Sequence, residues 1–314
     1  MGRILTVTLS PALDLSTETP VVAPGGKLRC AEPRSDPGGG GVNVSRAIRF
    51  LGGDSAPLVA AAGAAGEAVL SLLRAEGLAP LAVAAPGETR RNFSVIETTT
   101  GAQYRFVTPG APWSAADAEA AAALVAAQVA PGDWVVISGS LPPGLAADHP
   151  AALARRLAAR GARVALDTSG PALAHAAAQG AGLAVLRMDD AEAAELAGAP
   201  PGPPEATAAM ASALVARGAA EIVAIARGAE GTVVADAAGR WFCRPPKVQV
   251  VSAVGAGDSF MAAFTMGLAR GDAPERACAF GVAAAAAAVT TPDTRLCDAE
   301  TVALLLPQVT AAPL

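Results

Sequence analysis

The chain is short of the residues that several chemistries need. Only two histidines occur, His149 and His175, both in alanine-rich surroundings. That argues against a histidine-based metal centre and a Ser-His-Asp triad. The four cysteines, Cys30, Cys243, Cys278 and Cys297, lie far apart with no Cys-x-x-Cys pair. Neither a disulfide framework nor a zinc site follows from such spacing. Charged residues make up 16% of the 314, with 23 Lys and Arg against 28 Asp and Glu and a net charge of −5. No basic block exists to neutralise a phosphate backbone, so nucleic acid is not an expected partner. The longest uncharged apolar run, Ala277 to Val289, is mostly alanine. It falls short of the roughly 20 residues a spanning helix needs. After Arg3 the chain reads Ile-Leu-Thr-Val-Thr-Leu, then meets Pro11 and Asp14. That is a strand, not a long apolar targeting segment. A cytoplasmic protein without a membrane partner is expected.

What is present is apolar. Hydrophobic residues reach 52% and mean hydropathy is +0.41, which excludes intrinsic disorder. The length suits one large α/β domain or two smaller ones. The 33 glycines and 25 prolines are spread along the chain and mark many short loops. Short Val-, Ile- and Leu-rich runs predict strands at Ile4–Leu9, Trp134–Ile137, Arg163–Leu166, Leu183–Leu186, Glu221–Ala226 and Val248–Val251. Alanine-dense stretches predict helices at Ala115–Ala130, Ala151–Arg160 and Pro204–Gly218. Strands and helices in alternation point to a parallel sheet covered on both faces, with ligands outside the carboxyl ends of its strands. Two segments, at about 15–36 and 88–108, break the alternation. The second reads as a hairpin turning at Thr100-Gly101, and both look like a small separate sheet.

Four motifs could carry chemistry. Pro37-Gly38-Gly39-Gly40-Gly41-Val42-Asn43 removes every Cβ ahead of a helix, with Asn43 in its first turn and Arg46 one turn on. Such a loop either turns its amides to a polar ligand or merely caps the helix. In Val254-Gly255-Ala256-Gly257-Asp258-Ser259, a tight turn opens a helix bearing Phe260, Met261, Phe264 and Leu268 at helical spacing. Bare amides at a helix entrance suit a transferring phosphoryl group. Asp258 beside them is either a base accepting a hydroxyl proton or an N-cap. Lys27, Arg29, Arg90, Arg91 and Arg105 gather in or beside the two small-sheet segments. They form either a solvated face or a phosphate clamp. Asp189-Asp190-Ala191-Glu192 places carboxylates three apart on one helical face. They could hold Mg²⁺ through water, or simply favour a helix start.

Together these residues resemble the ribokinase-like (PfkB-type) carbohydrate kinases over essentially the whole chain. The early Gly-Gly-…-Asn and late Gly-Ala-Gly-Asp motifs stand in that family's order and spacing. Further strings carry the likeness: Gly26-Lys27-Leu28-Arg29-Cys30, Gln103-Tyr104-Arg105-Phe106-Val107, Ile137 to Gly144, and Thr294-Arg295-Leu296-Cys297. The resemblance implies a three-layer α/β fold in a single domain over 1–314, with a mostly parallel sheet flanked by helices and the two inserts forming a β-sheet lid. It implies transfer of the ATP γ-phosphate to the C1 hydroxyl of fructose 6-phosphate. Fructose 1-phosphate or tagatose 6-phosphate is the alternative acceptor, and a non-catalytic sugar-phosphate-binding protein the remoter one.

The resemblance also assigns roles. Asp258 matches the catalytic base, and Gly255, Ala256 and Gly257 the anion hole. Asp14, Gly39 and Asn43 match contacts to sugar hydroxyls. Lys27, Arg90, Arg105 and Ser140 match contacts on the sugar-phosphate side, and Arg29 one that reaches across a dimer formed through the lid sheets. Arg187, Asp189, Arg227, Gly228 and Gly231 match the nucleotide side, with Asp189 and Glu192 serving Mg²⁺ through water. ATP, Mg²⁺ and optionally K⁺ are the implied cofactors. This chain departs from the pattern at Asp189, where Asn is usual, and at Arg187, where close relatives usually carry Lys. It departs again at Ala253, where Thr is usual, and at Ala226, where Ser or Thr is usual.

Overall fold

The computed structural model describes residues 2–178, 180–291 and 295–314. Thr294, part of one string above, lies outside them. The chain runs β1 (Ile4–Thr8), β2 (Ala12–Thr19), β3 (Arg34–Gly38), α1 (Gly40–Phe50), β4 (Ala56–Val59), α2 (Gly63–Ala75) and β5 (Leu81–Ala82). It continues through β6 (Arg90–Glu97), β7 (Gln103–Phe106), α3 (Ala115–Gln128), β8 (Trp134–Ser138), α4 (His149–Ala158), β9 (Arg163–Asp167) and α5 (Gly170–Ala178). Next come β10 (Leu183–Asp189), α6 (Asp190–Ala197), α7 (Pro204–Ala216), β11 (Ala220–Ala226), β12 (Thr232–Ala235) and β13 (Arg240–Arg244). The last are α8 (Ala256–Arg270), α9 (Pro274–Ala288), α10 (Ala299–Leu305) and β14 (Thr310–Pro313).

A ten-stranded sheet has the order β14-β13-β12-β11-β10-β9-β8-β1-β4-β5. It is parallel from β5 to β11 and antiparallel beyond. Side chains alternate across a strand, and both faces of these strands are apolar. Leu5, Val7, Val135, Ile137, Val164 and Leu166 pack towards α3, α4 and α5. Ile4, Trp134, Val136, Ala165 and Val185 pack towards α1, α8 and α9. Burial on two faces is why the strands read as continuous apolar runs. Alanine and glycine let α8 and α9 approach closely: a Cβ on Gly267 would stand 2.9 Å from that of Ala277. No helix among the described residues is long and apolar enough to cross a membrane.

The second sheet has four strands in the order β3-β2-β6-β7, with β2 and β6 parallel. Its strands begin at Ala12, a few residues ahead of the expected insert. The hairpin reading of the later insert is met by β6 and β7, antiparallel about the Thr100-Gly101 turn.

One predicted strand is absent. Val248–Val251 pairs with no neighbour, and Val250 and Val251 are 61% and 56% exposed. Val251 N and Ser252 N both donate to Val289 O. The apolar run imitates a buried strand but lies exposed in the segment that leads from β13 to α8. The antiparallel strands β12, β13 and β14 are short and carry Thr, Arg and Pro at their ends, and gave no long apolar signal.

Candidate active site

The first turns of α1 and α8 meet where the carboxyl ends of the central strands stop. α1 starts so close to β1 and β8 that side chains are barred. A Cβ on Gly39 would lie 2.7 Å from Thr8 Cγ2, one on Gly41 2.6 Å from Val7 O, and one on Gly40 would overlap Ser138 Oγ. Gly39 also takes a φ of 116°, which favours glycine. Gly39, Gly40 and Gly41 therefore let α1 start in close contact with β1 and β8, and they set Asn43 in its first turn. Arg46, one turn on, is consumed structurally. It donates Nε and Nη2 to both oxygens of Glu76 at 2.7 to 3.1 Å, and Nη1 to Pro37 O at 3.4 Å.

At the other entrance, Gly255 is the N-cap residue of α8, with φ 77°. The ladder begins with Ser259 N donating to Gly255 O at 2.9 Å. The amides of Ala256, Gly257 and Asp258 precede it, at the positive end of the helix. Asp258 stands three residues inside this cap and makes no capping bond, so its carboxyl is left for another role. Asn43 Nδ2 donates to Asp258 Oδ2 at 3.0 Å. Burial pushes the Asp258 carboxyl up to about 7. The Asn43 hydrogen bond lowers it, Asp167 raises it, and Arg187 and Arg46 lower it. A carboxyl poised near neutrality beside a row of amides can take a proton from a hydroxyl while the amides receive an anion.

β10 ends beside this corner. Arg187 donates Nη1 to Asp167 Oδ1, at the end of β9, at 3.1 Å. Arg187 Nε is buried without a hydrogen-bond partner among the described residues. A Cβ on Gly257 would stand 3.1 to 3.3 Å from the Arg187 guanidinium, so the absent side chain leaves a cradle between cation and turn. Asp189 caps α6: its Oδ1 accepts from Glu192 N, and Glu192 Oε2 accepts from Asp189 N, both at 2.8 Å. Asp189 thus precedes the helix instead of sharing a helical face with Glu192, a correction to the i, i+3 reading. The reciprocal box holds the two carboxyls together by backbone contacts. Burial raises the Glu192 carboxyl. Among the described residues, no group of three or more His, Cys, Asp or Glu could hold a metal by itself.

The small sheet presents the other half of the site. A cleft lined by Asp14, Asn92, Ser94, Gln103, Arg105 and Val254 runs from that sheet to the approach of Gly255. Burial raises the Asp14 carboxyl, and a hydrogen bond from Asn92 and the charges of Arg90 and Arg105 oppose this. Arg90 donates Nη2 to Ser10 O at 3.1 Å and approaches Ser140 Oγ at 3.5 Å, and its Nε is buried without a partner among the described residues. Burial lowers the Arg90 guanidinium from its ordinary value, although it stays charged at neutral pH.

The structure does not bring every predicted residue here. Lys27 and Arg29 stand exposed between β2 and β3, without a side-chain hydrogen bond or ion pair among the described residues. Arg227 is spent on its own turn: it donates to Glu230, to Gly202 O and to Thr207 Oγ1. The turn itself is what remains for a ligand. Gly228 lies in it with open space where a Cβ would be, and Gly231 closes it against Cys243 O. Asn92 and Asp167 were missed in the sequence. Each stands at a strand position and carries no motif.

Residues 9–301 match the family described as pfkB family carbohydrate kinase. The ATP-dependent 6-phosphofructokinase isozyme 2 of Escherichia coli is 39% identical over 298 residues, 95% of this chain and 96% of that protein. Its namesake from Mycobacterium tuberculosis is 38% identical over 301 residues, 96% of this chain and 88% of that one. A 1-phosphofructokinase of Xanthomonas campestris is 35% identical over 269 residues, 85% of this chain and 84% of that protein. Among solved structures, E. coli phosphofructokinase-2 with fructose-6-phosphate superposes with a TM-score of 0.91 at 36% identity, covering 98% of this chain and 99% of that one. The same enzyme with potassium gives 0.94 at 37% identity and the same coverage.

Proposed function

The chain belongs to the pfkB family of carbohydrate kinases, and on that premise we propose that it phosphorylates C1 of fructose 6-phosphate at the expense of ATP. The observation that carries this reading is the Asn43–Asp258 pair at the amide-lined entrance of α8. Asp258 accepts the proton of the attacking hydroxyl. The amides of Ala256 and Gly257 stabilise the equatorial oxygens of the phosphoryl group in flight, and Gly255 shapes the turn. Gly39 and Asn43 border the hydroxyl that reacts, and Asp14 orients the sugar from the small sheet. Arg90 and Arg105 take the sugar phosphate, with Ser140 beside Arg90.

On the nucleotide side, Arg187 would meet the ATP phosphates and the Gly228–Gly231 turn would border the nucleoside. Mg²⁺ fits here because the Asp189–Glu192 pair sits beside the cradle under Gly257, where phosphate oxygens can complete its coordination. When bound it would neutralise phosphate charge, with Glu192 and Asp189 reaching it through water. The potassium complex of the E. coli neighbour supports a monovalent-cation site. The small sheets of two copies would pair into a homodimer, since Phe93 and Phe106 expose 44% and 54% of their surface there. That pairing would give Lys27 and Arg29 a partner's site to serve. A cytoplasmic location agrees with this activity.

The 1-phosphofructokinase reading is disfavoured by Gly40. Relatives of that type usually carry Lys there, and here a Cβ would overlap Ser138 Oγ. A coupled assay with ATP and fructose 6-phosphate, fructose 1-phosphate and tagatose 6-phosphate tests the proposal. Fructose 6-phosphate should give the highest kcat/KM. Equal or greater turnover of either other sugar phosphate would reassign the acceptor, and no turnover of any would leave a binding protein.

A further inference from the structure

Asn92 stands against Asp14 in an arrangement that no motif announces. The registers of β2 with β3 and β6 set Asp36, Asp14 and Asn92 abreast on three neighbouring strands. Residues paired across strands share a face of the sheet. Asp14 therefore has a carboxylate on one flank and an amide on the other.

Asn92 Nδ2 donates to Asp14 Oδ1 at 2.8 Å. Its Oδ1 accepts from Thr108 N at 3.2 Å, and Thr108 Oγ1 donates to Arg91 O at 2.7 Å. A backbone N–H can only donate, so the amide oxygen must face Thr108 and the amino group must face Asp14. The amide has one orientation. The other oxygen of Asp14, Oδ2, lies over Gly38, in the space a Cβ would fill. Arg90, two residues earlier on the same face of β6, reaches towards Ser140. One strand thus carries both the guanidinium assigned to the sugar phosphate and the amide that grips the sugar-facing carboxylate.

We propose that Asn92 is a positioning residue for sugar recognition: it holds one oxygen of Asp14 and thereby sets the other as the acceptor for a sugar hydroxyl. The link to Thr108 ties this orientation to the chain that leaves β7 just after Arg105, so hydroxyl and phosphate contacts are set in one register. This rests on reading the site as one for a sugar phosphate. Burial favours the protonated form of Asp14, the amide opposes it, and a protonated Asp14 is a poorer acceptor. A site built to accept a hydroxyl discriminates strongly against analogues that lack it, but only while its acceptor is held still.

The test uses the purified full chain and steady-state kinetics for both substrates. Asn92→Asp is nearly isosteric and keeps an acceptor for Thr108 N, but it cannot donate to Asp14 and adds a third carboxylate to the row. Asn92→Ala removes both links. Each should raise KM for fructose 6-phosphate by roughly 10- to 100-fold, the range for losing a hydrogen bond to a charged group. KM for ATP should stay within about twofold, as expected when only sugar contacts are lost. In an Asp14→Asn background, Asn92→Ala should add less than about threefold, because the two act as one unit. Near-wild-type sugar KM in Asn92→Asp would overturn the proposal, assigning Asn92 to the Thr108 link alone. So would equal rises in both KM values, or penalties that multiply in the double variant. If Asp14→Asn itself leaves the sugar KM unchanged, the site reading fails first. If Asp14→Asn raises it and Asn92→Asp does not, only the proposal fails.

Discussion

Asn43 Nδ2 and Asp258 Oδ2 meet at 3.0 Å across 215 residues of chain, and that bond joins the first turns of α1 and α8. Neither residue could reach the other without its glycines. Gly39 to Gly41 bring α1 down on β1, and Gly255 turns the chain into α8. Asp258→Asn keeps the shape and removes the proton acceptor. kcat should fall by roughly 10² to 10⁴, the usual contribution of a general base. Steady-state turnover at saturating substrates, with circular dichroism as the fold control, measures this. Retention of near-wild-type kcat would reduce Asp258 to a packing residue.

The pH dependence follows from the same carboxyl. Burial raises it to about 7, and a base must be deprotonated to act. kcat/KM should therefore rise with pH and level off above an inflection near that value. The stability effect has the opposite sign. Between the ordinary carboxyl range and about 7, the folded state holds a proton that the unfolded state has lost, so this group makes stability fall as pH rises. Asp258→Asn should accordingly raise Tm by a few degrees at pH 8, on the order expected for 1 kcal/mol or more, and leave it unchanged near pH 3. Thermal unfolding at the two pH values decides it. A lower Tm for the variant at pH 8 would contradict a carboxyl shifted by burial.

Arg90 and Arg105 both act by charge on Asp14 but differ in exposure. Arg90 is half-buried with an unpartnered Nε, whereas Arg105 is exposed. Arg90→Ala should raise KM for the sugar phosphate by roughly 10- to 100-fold, as for a lost charge-assisted bond. Arg105→Ala should raise it less, because exposed charge pairs are screened. KM for ATP should barely move in either. Equal weakening of both substrates would remove these arginines from the sugar side.

Much of this was legible in the sequence, for a physical reason. Strands buried on both faces are apolar along most of their length, so Ile4–Leu9, Trp134–Ile137 and Leu183–Leu186 announce themselves. Glycines that admit close backbone approach have no substitute, so Gly39 and Gly255 announce the site. Where burial is one-sided or pairing is antiparallel at an edge, the signal fades. Arg240–Arg244 went unread, while exposed Val248–Val251 imitated a strand. Contacts between single polar residues on separate elements, such as Asn92 with Asp14 or Asp167 with Arg187, leave no local pattern at all.

Asp189 caps α6 through a reciprocal bond with Glu192, and two substitutions separate the cap from its charge. Asparagine caps as well as aspartate, whereas alanine costs typically about 1 kcal/mol. Asp189→Asn should therefore keep Tm, and Asp189→Ala should lower it. Both remove a negative charge beside Glu192, so both should raise the Mg²⁺ concentration for half-maximal rate. Unchanged Mg²⁺ dependence in both variants would confine Asp189 to the cap.

Arg187 and Asp167 bear on Asp258 with opposite sign: the carboxylate raises its affinity for a proton and the guanidinium lowers it. The two are bound to each other at 3.1 Å, so removing one alone unmasks the other. Asp167→Asn leaves the cation uncompensated. The inflection in kcat/KM should then move to lower pH than the wild type. Arg187→Ala leaves the carboxylate uncompensated, and the inflection should move to higher pH. Arg187→Ala should also weaken ATP, since the buried Nε and the cradle under Gly257 both lie at the turn assigned to its phosphates. Arg187→Lys restores the charge but not the planar fork, and a lysine cannot hold Asp167 and a phosphate with fixed geometry at once. It should return the inflection towards wild type while recovering ATP affinity only in part. Shifts of the same direction in Asp167→Asn and Arg187→Ala would mean that the pair acts on Asp258 by packing and not by charge.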